Sequence, residues 1–137
     1  MMLSLQASIL REAILKFTRE LTGVLTIRSV AAGVVRVNAD EFRAPVALTA
    51  EEILGEWTPK PILDLVEDDF APLLEKAPEV VLLGTGGSNV FPPRELTFAF
   101  ARRGIGLEVM DTAAAARTFN VLAIEGRRVS AVLYPPV

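Results

Sequence analysis

The sequence contains no cysteine and no histidine. The first absence removes thiolate nucleophiles, disulfides, zinc knuckles and iron–sulfur ligation. The second removes the Ser–His–Asp triad, an imidazole base and imidazole metal ligands. Aromatic residues are scarce at 7%, with one Trp and one Tyr, so an aliphatic core is expected. No apolar run approaches the roughly 18 residues of a membrane-spanning helix. The N-terminal stretch MMLSLQASILREAILKF lacks a basic segment ahead of an apolar core and lacks a cleavage site, so no signal peptide is expected. A cytoplasmic location follows as the default expectation. The groups left for chemistry are carboxylates, Lys, Arg, Tyr, hydroxyls and backbone amides. On these grounds no catalytic residue is assigned, and neither a cofactor nor a metal is expected.

What is present is ample apolar material. The 137 residues are 51% hydrophobic, enough for one domain without disulfide support. The single domain is expected to span 1–137, with 1–20 as an amphipathic extension and 24–135 as an α/β core. The net charge of −3 is unevenly placed. Residues 51–79 hold nine acids and two lysines, while the segments on either side are each mildly basic. An acidic middle argues against a continuous nucleic-acid surface.

Along the chain, residues 5–20 read as an amphipathic helix, with Leu10, Ile14, Phe17 and Leu21 at helical spacing. Docking of this helix on the domain is the favoured expectation. A partner surface or a membrane surface is the alternative. Residues 24–49 read as β structure in three β-branched segments, VLTIRSV, GVVRVN and EFRAPVALT, joined closely enough for an antiparallel meander. Arg28, Arg36 and Arg43 are expected on its wet side. In the acidic middle, Thr49 with Glu52 three residues on predicts a capped helical turn. Trp57 leads into the extended or turned Thr58-Pro59-Lys60-Pro61. Asp69 is read as the cap of a short helix, FAPLLEK, with Pro72 tolerated in its first turn.

From residue 79 the pattern becomes β-α-β-α-β. EVVLLG is a continuous apolar run, as in a strand buried on both faces. A helix is predicted from Pro93 to Arg103 with Leu96, Ala99 and Phe100 inward. IGLEVM is the next strand. Asp111 caps the helix TAAAARTFNVLAIE, with Gly126 beyond its end. RRVSAVLY is the last strand, with Val129, Ala131 and Leu133 alternating against Ser130. The strand–helix–strand steps predict parallel neighbours.

Two places could hold a ligand. The loop Gly84-Thr85-Gly86-Gly87-Ser88 follows a buried strand, where α/β folds place their sites, and its amides could cradle an anion. No Lys follows the glycines, and the plainer role is a tight turn needing positive φ at several positions. The second place is Asp111 and Thr112 with Arg117 and Asn120, which lie three apart on the next helix. Asp111 alone is a plain N-cap, and Asn120 alone is a hydrogen bond to a loop backbone. Together with the glycine loop they outline a pocket for a small molecule or anion, in which Arg117 pairs with a carboxylate or phosphate. Glu67, Asp68 and Asp69 are adjacent, point in different directions and lack calcium-loop spacing. They suit a helix N-terminus better than a metal.

Several of these pieces together resemble a known family. PEVVLLGTGG, FPPRELTFAFARRGIGLEVMDT, AARTFNVL and EGRRVSAVLYP carry the likeness, most specifically Met110-Asp111-Thr112, then Arg117 to Leu122, then Glu125-Gly126-Arg127. Residues 79–135 resemble the small α/β domain of the family that includes the mitochondrial complex I assembly factor of the third type. The adipogenesis-associated domain protein and many bacterial and archaeal proteins of unknown function belong to the same family. The resemblance covers more than a third of the chain, extends more loosely over 24–49, and does not reach the first 20 residues. It implies a three-layer α/β fold with a mixed central sheet. It places Gly84, Gly86, Asp111, Thr112, Arg117 and Asn120 at signature positions, and it implies no established reaction. Some relatives carry Cys where this chain has Ala116, so a thiol mechanism is impossible here. The expectation is a non-catalytic accessory or assembly-factor-like domain that binds a protein partner. The alternative is a small-anion or small-molecule domain using the pocket just outlined, an enzyme among the options.

Overall fold

A computed structural model describes residues 6–14, 23–57 and 60–137. A helix, α1, covers 6–14. The strands are β1 (Ile27–Ala31), β2 (Val34–Val37), β3 (Asp40–Phe42), β4 (Val46–Thr49), β5 (Ile53–Glu56), β6 (Val80–Gly84), β7 (Gly106–Met110) and β8 (Val129–Leu133). Two 3-10 turns, Ile62–Asp64 and Glu67–Phe70, lead into α2 (Ala71–Leu74). The longer helices are α3 (Arg94–Arg102) and α4 (Thr112–Ile124).

Two sheets form. β1-β2-β3 is an antiparallel meander, and the central sheet is mixed, in the order β5-β4-β8-β6-β7. β6 lies between β7 and β8 and is parallel to both, while β4 runs antiparallel to β8 and to β5. Strand alternation sorts the core into two layers. Leu48, Leu82, Ala131 and Leu133 face α4 and the small sheet, meeting Ala115, Phe119, Ile27 and Val37. Ala47, Val81, Leu83 and Val132 face the other way, against Leu96 and Phe100 of α3 and against Ile62, Leu65, Phe70 and Leu73. The result is a three-layer α/β arrangement. Ala115, Ala116 and Ala123 let α4 lie close to the sheet, and Phe119 fills the space between.

The meander, the α3 and α4 helices and the buried β6 match the sequence expectation, and Arg28, Arg36 and Arg43 are exposed. Elsewhere the structure corrects it. EFRAPVALT is not one strand. It breaks at Pro45, which offers no amide, so β3 stays in the small sheet and β4 joins the central one. Thr49 caps no helix. Its Oγ1 accepts from the amides of Glu51 (3.2 Å) and Glu52 (3.1 Å), closing a hairpin into β5, a strand the sequence pattern hid. Asp69 sits inside its turn and reaches back to the Val66 amide (2.9 Å). β8 is buried on both faces, Ser130 included, because it is a central strand with a packed layer over each face of its sheet. β7 and β8 are not neighbours, since β6 separates them. All of 6–14 is exposed, and Glu12 approaches Arg28 of β1 (3.6 Å). Phe17, Leu21, Thr58 and Pro59 lie outside the described residues. Among the described residues, no helix is long and apolar enough to cross a membrane.

Candidate functional site

The carboxyl ends of β6, β7 and β8 bring both sequence-predicted places together. Gly84 ends β6, Met110 ends β7, and Asp111 opens α4. Thr112 is the hub. Its side chain is fully buried. Its Oγ1 accepts from the Gly86 amide (2.8 Å) and donates to the Tyr134 carbonyl (2.6 Å). The Thr112 amide in turn donates to the Gly86 carbonyl (2.9 Å), and the Tyr134 amide to the Gly84 carbonyl (2.9 Å). Thr85 bonds in the same way. Its amide donates to Met110 (2.9 Å), and its Oγ1 donates to the Ser88 carbonyl (2.6 Å) and accepts from Val90 (3.0 Å).

This packing explains the glycines. A Cβ at Gly84 would stand 2.9 Å from Thr112 Oγ1 and 3.0 Å from Thr112 Cα, so β6 and α4 approach there only because no side chain intervenes. Gly86 takes φ +95°. The expectation of positive φ at several loop positions reduces to this one residue. Gly87 and Ser88 are exposed at the loop tip, with Asn89 beside them.

The α4 residues part company. Asp111 accepts from the Ala114 amide (2.9 Å), an ordinary N-cap. Arg117 points to solvent and has no hydrogen-bond or ion-pair partner among the described residues. Asn120 turns to the small sheet. Its Oδ1 accepts from the Ile27 amide and its Nδ2 donates to the Ile27 carbonyl, both at 2.8 Å. A side-chain amide thus pairs with β1 as a neighbouring peptide would, covering the edge of that sheet and tying it to α4. The structure therefore brings Gly84, Gly86, Asp111 and Thr112 together. It leaves Arg117 and Asn120 facing different surroundings.

A polar cluster absent from the sequence reading adjoins this edge. Trp57 Nε1 donates to Tyr134 Oη (3.1 Å), which donates to the Lys60 carbonyl (2.7 Å), and Lys60 Nζ pairs with Asp69 (2.9 Å). Burial pushes the Tyr134 phenol above its ordinary value of 10.0. No spacing rule links residues 77 positions apart. The usable signal was chemical: a lone Trp and a lone Tyr need partners for their polar tips once buried.

Comparison with known proteins fits this geometry. A profile of the family described as "Protein of unknown function (DUF498/DUF598)" matches residues 27–134. The chain belongs to that family. The family match thus takes in both sheets, the Gly84 loop and α4. The human NADH dehydrogenase [ubiquinone] 1 alpha subcomplex assembly factor 3 is 36% identical over 102 residues, covering 73% of this chain and 55% of the relative. The chain thus spans about half the length of that relative. The 13 kDa major membrane protein of Francisella tularensis is 30% identical over 99 residues, covering 71% of this chain and 80% of that protein. A crystal structure of a Bordetella parapertussis protein has the same fold, with TM-score 0.77 and 34% identity, covering 83% of this chain and 98% of that one.

Proposed function

We propose that this chain is a non-catalytic accessory domain, assembly-factor-like, that acts by binding another protein. The observation that carries this reading is how the polar and apolar groups are distributed. The groups at the strand edge bond mainly to one another. Apolar side chains meanwhile stand in solvent on the α4 side of the molecule: Val121 (56% exposed) and Ile124 on α4, and Leu10 and Ile14 on α1. Exposed apolar groups gathered on outer helix faces mark contact surfaces. The family relatives named as assembly factors support the same reading. The test is a photocrosslinking residue at Val121, and separately at Ile124, in native cells. One recurrent protein adduct at both positions is expected. Adducts at neither position would overturn the reading. The proposal keeps the domain in the cytoplasm, which fractionation checks.

A second reading keeps a small anion, because Arg117 is unpaired and the loop-tip amides of Gly87 and Ser88 have no acceptor among the described residues. Its test is thermal shift with phosphate and small carboxylates, comparing wild type with Arg117→Ala. At 100 Kd a ligand adds about 2.7 kcal/mol, and no shift in the wild type would end this reading. Peripheral membrane contact through 5–20 rests on exposed Leu10 and Ile14, and a relative is named a major membrane protein. Unchanged liposome flotation on deletion of 5–20 would remove it.

A further inference from the structure

The opposite side of the central sheet carries a separate surface. On α3, Arg94, Phe98 and Arg102 recur at four-residue steps and form one stripe. Phe98 is 57% exposed, and neither arginine has a partner among the described residues. Beside α3 runs the ridge of the two 3-10 turns. There Leu63 (65% exposed) and Val66 stand out beside the exposed Asp64 and Asp68, whose side chains have no partner among the described residues. The two patches are neighbours. Arg103 at the end of α3 pairs with Glu67 on the ridge (2.6 Å). At this junction Glu67, Asp68, Ala71, Leu74, Glu75 and Arg103 line an open groove.

We infer that this face is where a second copy of the chain docks. One patch is apolar with basic flanks, and the adjacent one is apolar with acidic flanks. A two-fold axis passing between them sets the Arg94–Phe98–Arg102 stripe of each copy on the Leu63–Val66 ridge of the other. Such a contact is self-complementary, since each residue pair occurs twice. Charge complementarity selects the second copy over an unrelated partner. A purely acidic partner covers the stripe but repels the ridge, and only a surface bearing both patches in this order satisfies both. The groove supplies the register. The incoming Arg102 guanidinium meets Asp68 and Glu75, the groove carboxylates that Arg103 does not pair with. This surface is distinct from the α4 side used above, so failure of one reading leaves the other standing.

The test is the mass of the intact chain by sedimentation equilibrium, at micromolar and at submillimolar concentration. Wild type is expected to approach the mass of two chains and to dissociate as salt is raised. Arg94→Glu with Arg102→Glu should raise the dissociation constant by about tenfold or more, as should Asp64→Lys with Asp68→Lys. Mixing these two reversed variants should restore a dimer, because both contacts then join opposite charges again. That recovery also shows that both variants are folded. Phe98→Ser should weaken the dimer while leaving unchanged the melting temperature measured at concentrations where wild type is monomeric. A wild type with the mass of one chain at both concentrations overturns the inference. So do reversed variants that stay dimeric, or a mixture that stays monomeric.

Discussion

The edge where β6, β7 and β8 end and the outer faces of α3 and α4 differ in what they leave unsatisfied. At the edge, Thr85, Gly86, Thr112 and Tyr134 bond to one another and to strand ends. On the helix faces, Phe98, Val121 and Ile124 touch solvent, and Arg94, Arg102 and Arg117 lack partners among the described residues. Motif-like residues thus hold the fold together, and inconspicuous ones face outward. A glycine loop after a buried strand has the position of a ligand site. Its hydrogen bonds decide whether it has the capacity.

The sharpest way to break this contrast is Gly84→Ala. The new Cβ meets backbone as well as Thr112 Oγ1, and neither can swing away, so a loss of about 3 kcal/mol is expected from overpacking. Denaturant unfolding measures it. Unchanged stability would mean that the β6–α4 approach is not structural. Thr112→Val comes next. It strips the Gly86 amide and the Tyr134 carbonyl of their partner in a buried place, for about 2 kcal/mol, whereas Thr112→Ser should retain most of the stability. Asn120→Ala should cost about 1 to 2 kcal/mol and speed hydrogen exchange at the Ile27 amide, because β1 loses both bonds to α4.

The pH dependence gives a milder test. Folding raises the Tyr134 pKa, so the folded state holds that proton more tightly than the unfolded chain does. The associated stability is fully present below pH 10.0 and is lost as pH rises through the folded value. Because the chain has a single Tyr, absorbance at 295 nm follows this group alone. Its midpoint should lie above 10.0, and a midpoint at or below that value would contradict the buried hydrogen-bonded phenol. The smallest effects belong to the outer faces. Arg117→Ala and Val121→Ser should change stability by less than about 0.5 kcal/mol. A partner-binding role requires Val121→Ser to reduce crosslinking from position 124 even so.

Much of the α/β half was readable because its signals are local. EVVLLG is long and apolar enough to mark a strand buried on both faces. Asp111 and Gly126 bracket α4, and Leu96, Ala99 and Phe100 recur at helical spacing. The acidic middle was read less well. ILGE is short and contains a glycine at φ +118°, so β5 carried little strand signal until β4 paired with it. Thr49 followed by Glu52 fits a helix start and a hairpin turn equally, and only the partner strand chooses. Within the candidate site, Asp111 as a cap was legible for the same local reason. The roles of Thr112 and Asn120 were not, because their partners lie at Tyr134 and Ile27, far away in sequence.

The sequence by itself determined which chemistries are closed to this protein, where its buried strand and two main helices lie, and which family it resembles. Those properties depend on residue identity and on short-range periodicity. Tertiary structure alone decided that β6 sits between β7 and β8, that β4 leaves the meander for the central sheet, and that Asn120 holds a strand edge. It also decided that the glycine loop is bound to Thr112 and Tyr134. The reason is that a hydrogen-bond donor or acceptor is indifferent to sequence distance. Which partner satisfies it is known only when the chain has brought the two together.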